Sequence, residues 1–95
     1  MKEKIYTVGE IREIVIPIAK KHGVAALYLF GSYAKKTERQ GSDLDIVVKG
    51  VKDINKLKDE IDDIRTLTII NLFDYDRIKN NYLKEDIDTY AKIIY

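Results

Sequence analysis

Two short stretches carry the side chains best suited to chemistry. They are Gly31-Ser32, and Asp43-Leu44-Asp45 after ten intervening residues. Glycine at a strand end lets a ligand approach the backbone closely. A helix starting there points free N–H groups and the positive end of its dipole at an anion. Ser32 adds a hydroxyl donor, so the dipeptide is a candidate phosphate cradle. Two aspartates at i and i+2 on a strand project from the same face. Such a pair offers hard oxygen ligands to Mg²⁺, which normally takes one or two carboxylates plus substrate phosphates. Either fragment alone is an ordinary feature, a common turn or a solvated strand end. Together, a phosphate cradle facing a carboxylate pair is what phosphoryl or nucleotidyl transfer requires.

The elements that must position these residues are legible from periodicity. Residues 7–22 read as a helix, with Thr7 and Glu10 as a capping box and Gly23 as its stop. Ile11, Ile14, Val15 and Ile18 form its apolar stripe, and Pro17 inside it removes one backbone donor and predicts a kink there. Residues 24–30, VAALYLF, are a continuous apolar run that predicts a strand covered on both faces. A short helix over residues 34–36 and a polar loop over 37–42 are expected next. Residues 43–48 predict a second strand, with Asp43, Asp45 and Val47 on one side and Leu44, Ile46 and Val48 on the other. Residues 53–64 predict a helix with Ile54, Leu57, Ile61 and Ile64 on one stripe. Residues 66–73 predict a third strand and 74–76 a turn. Residues 83–90 predict a last helix with Leu83 and Ile87 inward, and residues 93–95 a short last strand. The expected class is α/β or α+β, one small mixed sheet flanked by helices.

Composition narrows the classes further. The chain has 95 residues, 45% of them hydrophobic and 35% charged, which suits one globular domain over 1–95. Its net charge of +1 argues against a general nucleic-acid binder. No cysteine is present, which excludes disulfides and thiolate metal sites. The beginning shows no signal-peptide pattern, and no apolar run approaches a membrane span. A cytoplasmic protein without membrane association is the expectation. His22 ends the first helix, where a cation suits the dipole, and is read as structural.

Residues 29–48 resemble the signature of the DNA polymerase beta nucleotidyltransferase superfamily, and more narrowly its minimal prokaryotic members. That signature runs Gly-Ser, Ala-Arg-Gly nearby, and then Ser-Asp-(Ile/Leu)-Asp. Gly31, Ser32, Ala34, Ser42, Asp43 and Asp45 match it, Lys35 matches the arginine conservatively, and Arg39 falls on a common basic position. Lys36 departs from the usual glycine. The ending Asn71-Leu72-Phe73-Asp74-Tyr75, a helix and Ile93-Ile94-Tyr95 is similar to the family's closing segment. The resemblance implies a nucleotidyltransferase-like fold and Mg²⁺-dependent transfer of a nucleoside monophosphate, AMP from ATP. It implies Asp43 and Asp45 as metal ligands and catalytic residues, with Gly31, Ser32, Lys35, Arg39 and Ser42 on the triphosphate. It also implies a protein acceptor, because small members accompany an HEPN-domain toxin and act as its antitoxin by modifying a tyrosine. The family's third carboxylate aligns with Asn71, which keeps an oxygen but loses the charge. Triphosphate binding is then expected to survive better than transfer, and a weakened module that neutralises its partner by contact is the competing reading. Asp74 is the alternative third acid if the strand register differs. Transfer to an antibiotic or a nucleic-acid end is disfavoured by the small size and near-neutral charge.

Overall fold

Helix α1 (Val8–Lys21) forms because apolar side chains recur along one stripe. Ile11, Val15 and Ala19 are fully buried, and Ile18 packs at the margin of the core. The i, i+4, i+8 line thus lies one step round from the expected stripe, and Ile14 is only half-buried. Pro17 falls on the exposed side, and the helix runs through it. Gly23, at φ +72°, ends the helix. Its N–H bonds to Lys20 and the Val24 N–H to Ala19, both at 3.0 Å. That pair of bonds satisfies carbonyls that a helix end would otherwise leave open. A computed structural model describes residues 8–31, 43–64 and 69–95 of the chain. The capping residue Thr7, the expected helix at 34–36 and the loop at 37–42 lie outside the described residues.

Strand β1 (Ala26–Phe30) follows, then β2 (Leu44–Lys49), helix α2 (Ile54–Asp62), β3 (Ile70–Asp74), a single 3₁₀ turn (Tyr75–Arg77), helix α3 (Asn81–Tyr90) and the short strand β4 (Lys92–Ile93). The sheet order is β3-β2-β1-β4. β1 pairs antiparallel with β2 and β4, whereas β2 and β3 run parallel. The parallel pair requires a crossover, and α2 supplies it. This is the expected small mixed sheet with helices, with one correction to β1. Its burial alternates: Leu27 and Leu29 are buried, while Tyr28 and Phe30 are half-buried. Only one face of that strand meets the main core.

That core gathers Leu27, Leu29, Leu44, Ile46 and Val48 from the sheet with the buried residues of α1 and with Leu57 and Ile61 of α2. Burying an aliphatic side chain of this size contributes roughly 1.5–3 kcal/mol. The Asp53 cap of α2, whose carboxylate accepts from the Asn55 and Lys56 N–H groups, contributes about 1 kcal/mol. A nine-residue helix is too short to stand alone, so its buried stripe holds it. Val47 and Ile87 are also buried, outside that cluster. Val47 points to the opposite face by strand alternation. Among the described residues no helix is long and apolar enough to cross a membrane.

Candidate functional site

The topology brings three strand ends to one edge of the sheet. β1 ends at Phe30, whose partner on β2 is Asp45. Asp45 in turn pairs with Asn71 on β3. Asp43 stands just before β2 and is exposed, while Asp45 and Asn71 are half-buried. All three side chains lie on the face opposite the main core, because Leu44 and Ile46 take the alternate positions.

Asn71 ties the site together. Its amide Nδ2 donates to Asp43 Oδ2 at 3.1 Å and to Asp45 Oδ1 at 2.9 Å. A carboxamide nitrogen has two hydrogens to give, and here each carboxylate takes one. Because one nitrogen reaches both groups, the carboxylates converge on a single small space. The spacing of Asp43 and Asp45 predicts this convergence, and the alignment of the chain's end predicts Asn71 at its side. Asp74 is placed elsewhere. It pairs with Val48, accepts from the Asp76 N–H at 3.2 Å and lies 3.5 Å from Arg77 Nε. It caps the 3₁₀ turn, so it does not complete the site.

Gly31 closes the site from the β1 side. Its φ of +69° is a left-handed conformation, which glycine adopts without a steric penalty. A Cβ placed there would collide with Asp45 Oδ2 and stand 3.4 Å from Asp45 Cγ. The glycine therefore does two jobs: it turns the chain, and it leaves the room that the Asp45 carboxylate occupies. The expected triphosphate contacts Ser32, Lys35, Arg39 and Ser42, and the divergent Lys36, lie outside the described residues.

Among the described residues no three acidic, histidine or cysteine side chains converge. The edge thus offers two carboxylates and one carboxamide, all hard-oxygen groups. That donor set fits Mg²⁺, which is commonly held by one or two carboxylates with phosphates and water completing its shell.

His22 is not part of this edge. Its Nε2 lies 3.0 Å from Glu60 Oε1, which also accepts from Lys21 Nζ at 2.7 Å. Lys21 first, and His22 second, hold the Glu60 carboxyl below its ordinary value. A second cluster was not visible in the sequence. Lys49 Nζ sits 4.1 Å and Lys84 Nζ 5.1 Å from the Tyr75 ring centre. The Tyr75 hydroxyl donates to Asp88 at 2.8 Å, which holds the phenol above its ordinary value. These residues come from β2, the 3₁₀ turn and α3, so only the fold assembles them. They lie toward the other end of β2 from Asp43.

The fold, with the family model that matches the chain, defines a nucleotidyltransferase. The chain belongs to the polymerase beta nucleotidyltransferase family, whose model, "Polymerase beta, Nucleotidyltransferase", matches residues 13–95. It is 39% identical over 62 residues to a Methanocaldococcus jannaschii protein named as a candidate protein adenylyltransferase, across 60% of this chain and 67% of that one. A second such protein of the same organism is 29% identical over 91 residues, across 86% and 92% of the two chains. Among solved structures, a toxin–antitoxin with AMP-PNP superposes with a TM-score of 0.66 at 23% identity, over 88% of this chain and 72% of the other. A mutant of the MntA–HpeT toxin–antitoxin gives 0.62 at 20% identity, over 88% and 71%. At these identities the structural likeness speaks for the fold.

Proposed function

We propose that this chain is a single transferase domain that moves AMP from ATP to a protein acceptor, with Mg²⁺ held by Asp43 and Asp45. The observation that carries this reading is the convergence of Asp43, Asp45 and Asn71 beside the left-handed Gly31. The names of the two archaeal relatives support AMP and a protein acceptor. The toxin–antitoxin neighbours, one carrying AMP-PNP, support a toxin as the partner, and the resemblance points to a small helical HEPN-type protein in the cytoplasm.

The chain's own residues would bind and orient. Gly31 gives the triphosphate access to backbone N–H groups, Ser32 and Ser42 donate hydroxyls, and Lys35 and Arg39 offset phosphate charge. Bound Mg²⁺ would neutralise charge on the triphosphate and favour ionisation of the acceptor hydroxyl. The acceptor oxygen then bonds to the α-phosphorus as the bond to pyrophosphate breaks, and the hydroxyl proton is released. Asp43 and Asp45 would hold the cation, and Asn71 aligns their carboxylates for its entry.

A second reading, neutralisation by contact without transfer, is favoured by one observation. The third position holds a carboxamide that donates to the aspartates where the family has an acid. Incubation of this chain with an HEPN-type partner, ATP and Mg²⁺, followed by intact mass measurement, separates the two. One or more AMP increments on the partner are expected. Loss of toxicity with no mass gain would replace transfer by contact neutralisation.

A further inference from the structure

We infer that Asn71 acts as an internal counter-cation that exchanges with the metal: its amide nitrogen bridges Asp43 and Asp45, and the same side chain turns over to present its oxygen when a divalent cation enters. The inference rests on the reading of Asp43 and Asp45 as a divalent-cation site, and it deepens that reading.

Two carboxylates facing one space repel each other unless something positive stands between them. That role falls to Asn71 Nδ2, at 3.1 Å from one carboxylate oxygen and 2.9 Å from the other. An aspartate at this place has no hydrogen to give when ionised, so it would add a third charge and relieve nothing. The amide N–H groups and a cation compete for the same oxygens, Asp43 Oδ2 and Asp45 Oδ1. Positive amide hydrogens beside a cation repel it, so its entry favours the turned amide with its oxygen toward the metal. The exchange needs no backbone movement, because the last side-chain torsion of asparagine is broad and roughly two-fold. The pairing of Asp45 with Asn71 in the β2–β3 ladder holds the side chain in place while its end group turns.

Two consequences follow. The two amide bonds hold Asp43, Asp45 and Asn71 together by themselves, so the site needs no ordering step when a cation enters. Metal alone must displace two charge-assisted hydrogen bonds to reach the two carboxylates, and the side chain that yields them returns only a neutral oxygen. The cation is therefore taken up well only with a triphosphate, whose own oxygens and charge complete its shell. Asn71 in this role is a positioning residue that makes metal and nucleotide arrive together.

The test uses the full chain and needs no catalysis. The side-chain amide of Asn71 is followed by nitrogen-15 NMR, assigned as the pair missing from Asn71→Asp. In chelator its hydrogens should be protected from exchange. Mg²⁺ alone should change them little, and Mg²⁺ with ATP should shift them and remove the protection. In parallel, Asn71→Asp should melt roughly 4–8 °C lower than the natural chain in chelator, a shift that one lost interaction of this kind produces in a domain of this size, and Mg²⁺ alone should restore it. Amide hydrogens that exchange freely in chelator would overturn the inference. So would a resonance unmoved by Mg²⁺ and ATP in a sample whose calorimetry shows that both bind, and that result would leave the metal site standing. A chain that binds neither Mg²⁺ nor Mg²⁺ with ATP would overturn the metal-site reading and this inference with it.

Discussion

At the scale of single residues, Gly31 couples backbone conformation to the carboxylate it faces. An L-residue in the left-handed region costs roughly 1–2 kcal/mol, and a Cβ there would also push the Asp45 carboxylate aside. Gly31→Ala should therefore lower the melting temperature and, separately, weaken binding of ATP with Mg²⁺. Ser32→Ala should move affinity alone. A hydrogen bond to a charged acceptor contributes about 1.5–3 kcal/mol, so about 10- to 100-fold weaker binding is expected. Calorimetry of both variants beside their melting curves checks the pair. Unchanged affinity in two folded variants would place the phosphate cradle elsewhere.

At the scale of elements, the end of α1 is fastened to α2 by Glu60, which meets Lys21 and His22 together. Because those partners favour the ionised carboxylate, its value is lower in the folded chain than in the unfolded one. The sign follows from linkage. The contribution to stability is complete above the ordinary glutamate range and is lost as pH falls through the lower folded value. Melting temperature measured across the acid range should fall less steeply for Glu60→Gln than for the natural chain. Parallel curves would show that the ion pair adds nothing, a common result for exposed pairs. Much at this scale was legible in the sequence. The stripe of α2 and the alternation of β2 follow from apolar spacing alone, so Leu57, Ile61, Leu44 and Ile46 were placed correctly. The start of α3 was not legible. The expected helix begins at residue 83, yet α3 starts at Asn81, and Asn80 accepts from the Tyr82 and Leu83 N–H groups at 2.9 and 3.2 Å. Asparagine serves loops and helix caps equally well, and only the backbone that follows decides between them.

At the scale of the molecule, strand directions make the site. The antiparallel β1–β2 pair sets the end of one strand against the start of the next, and the parallel β2–β3 pair sets start beside start. Gly31, Asp45 and Asn71 thereby meet, although the first and the last stand forty positions apart in the sequence. The sequence carried Asp43 and Asp45 as a pair because a two-residue spacing is local. The pairing of Asp45 with Asn71 is a matter of register between distant strands, and so is the direction of the amide. Neither is encoded in spacing. The main core lies on the other face, so the edge can carry charge without costing the fold its packing. Calorimetry of ATP binding with and without Mg²⁺, on the natural chain and on Asp43→Asn with Asp45→Asn, tests the central claim most directly. Binding that requires Mg²⁺ in the natural chain and is lost in the doubly substituted chain is the predicted result. Equal binding by the two proteins, or binding indifferent to Mg²⁺, would contradict it.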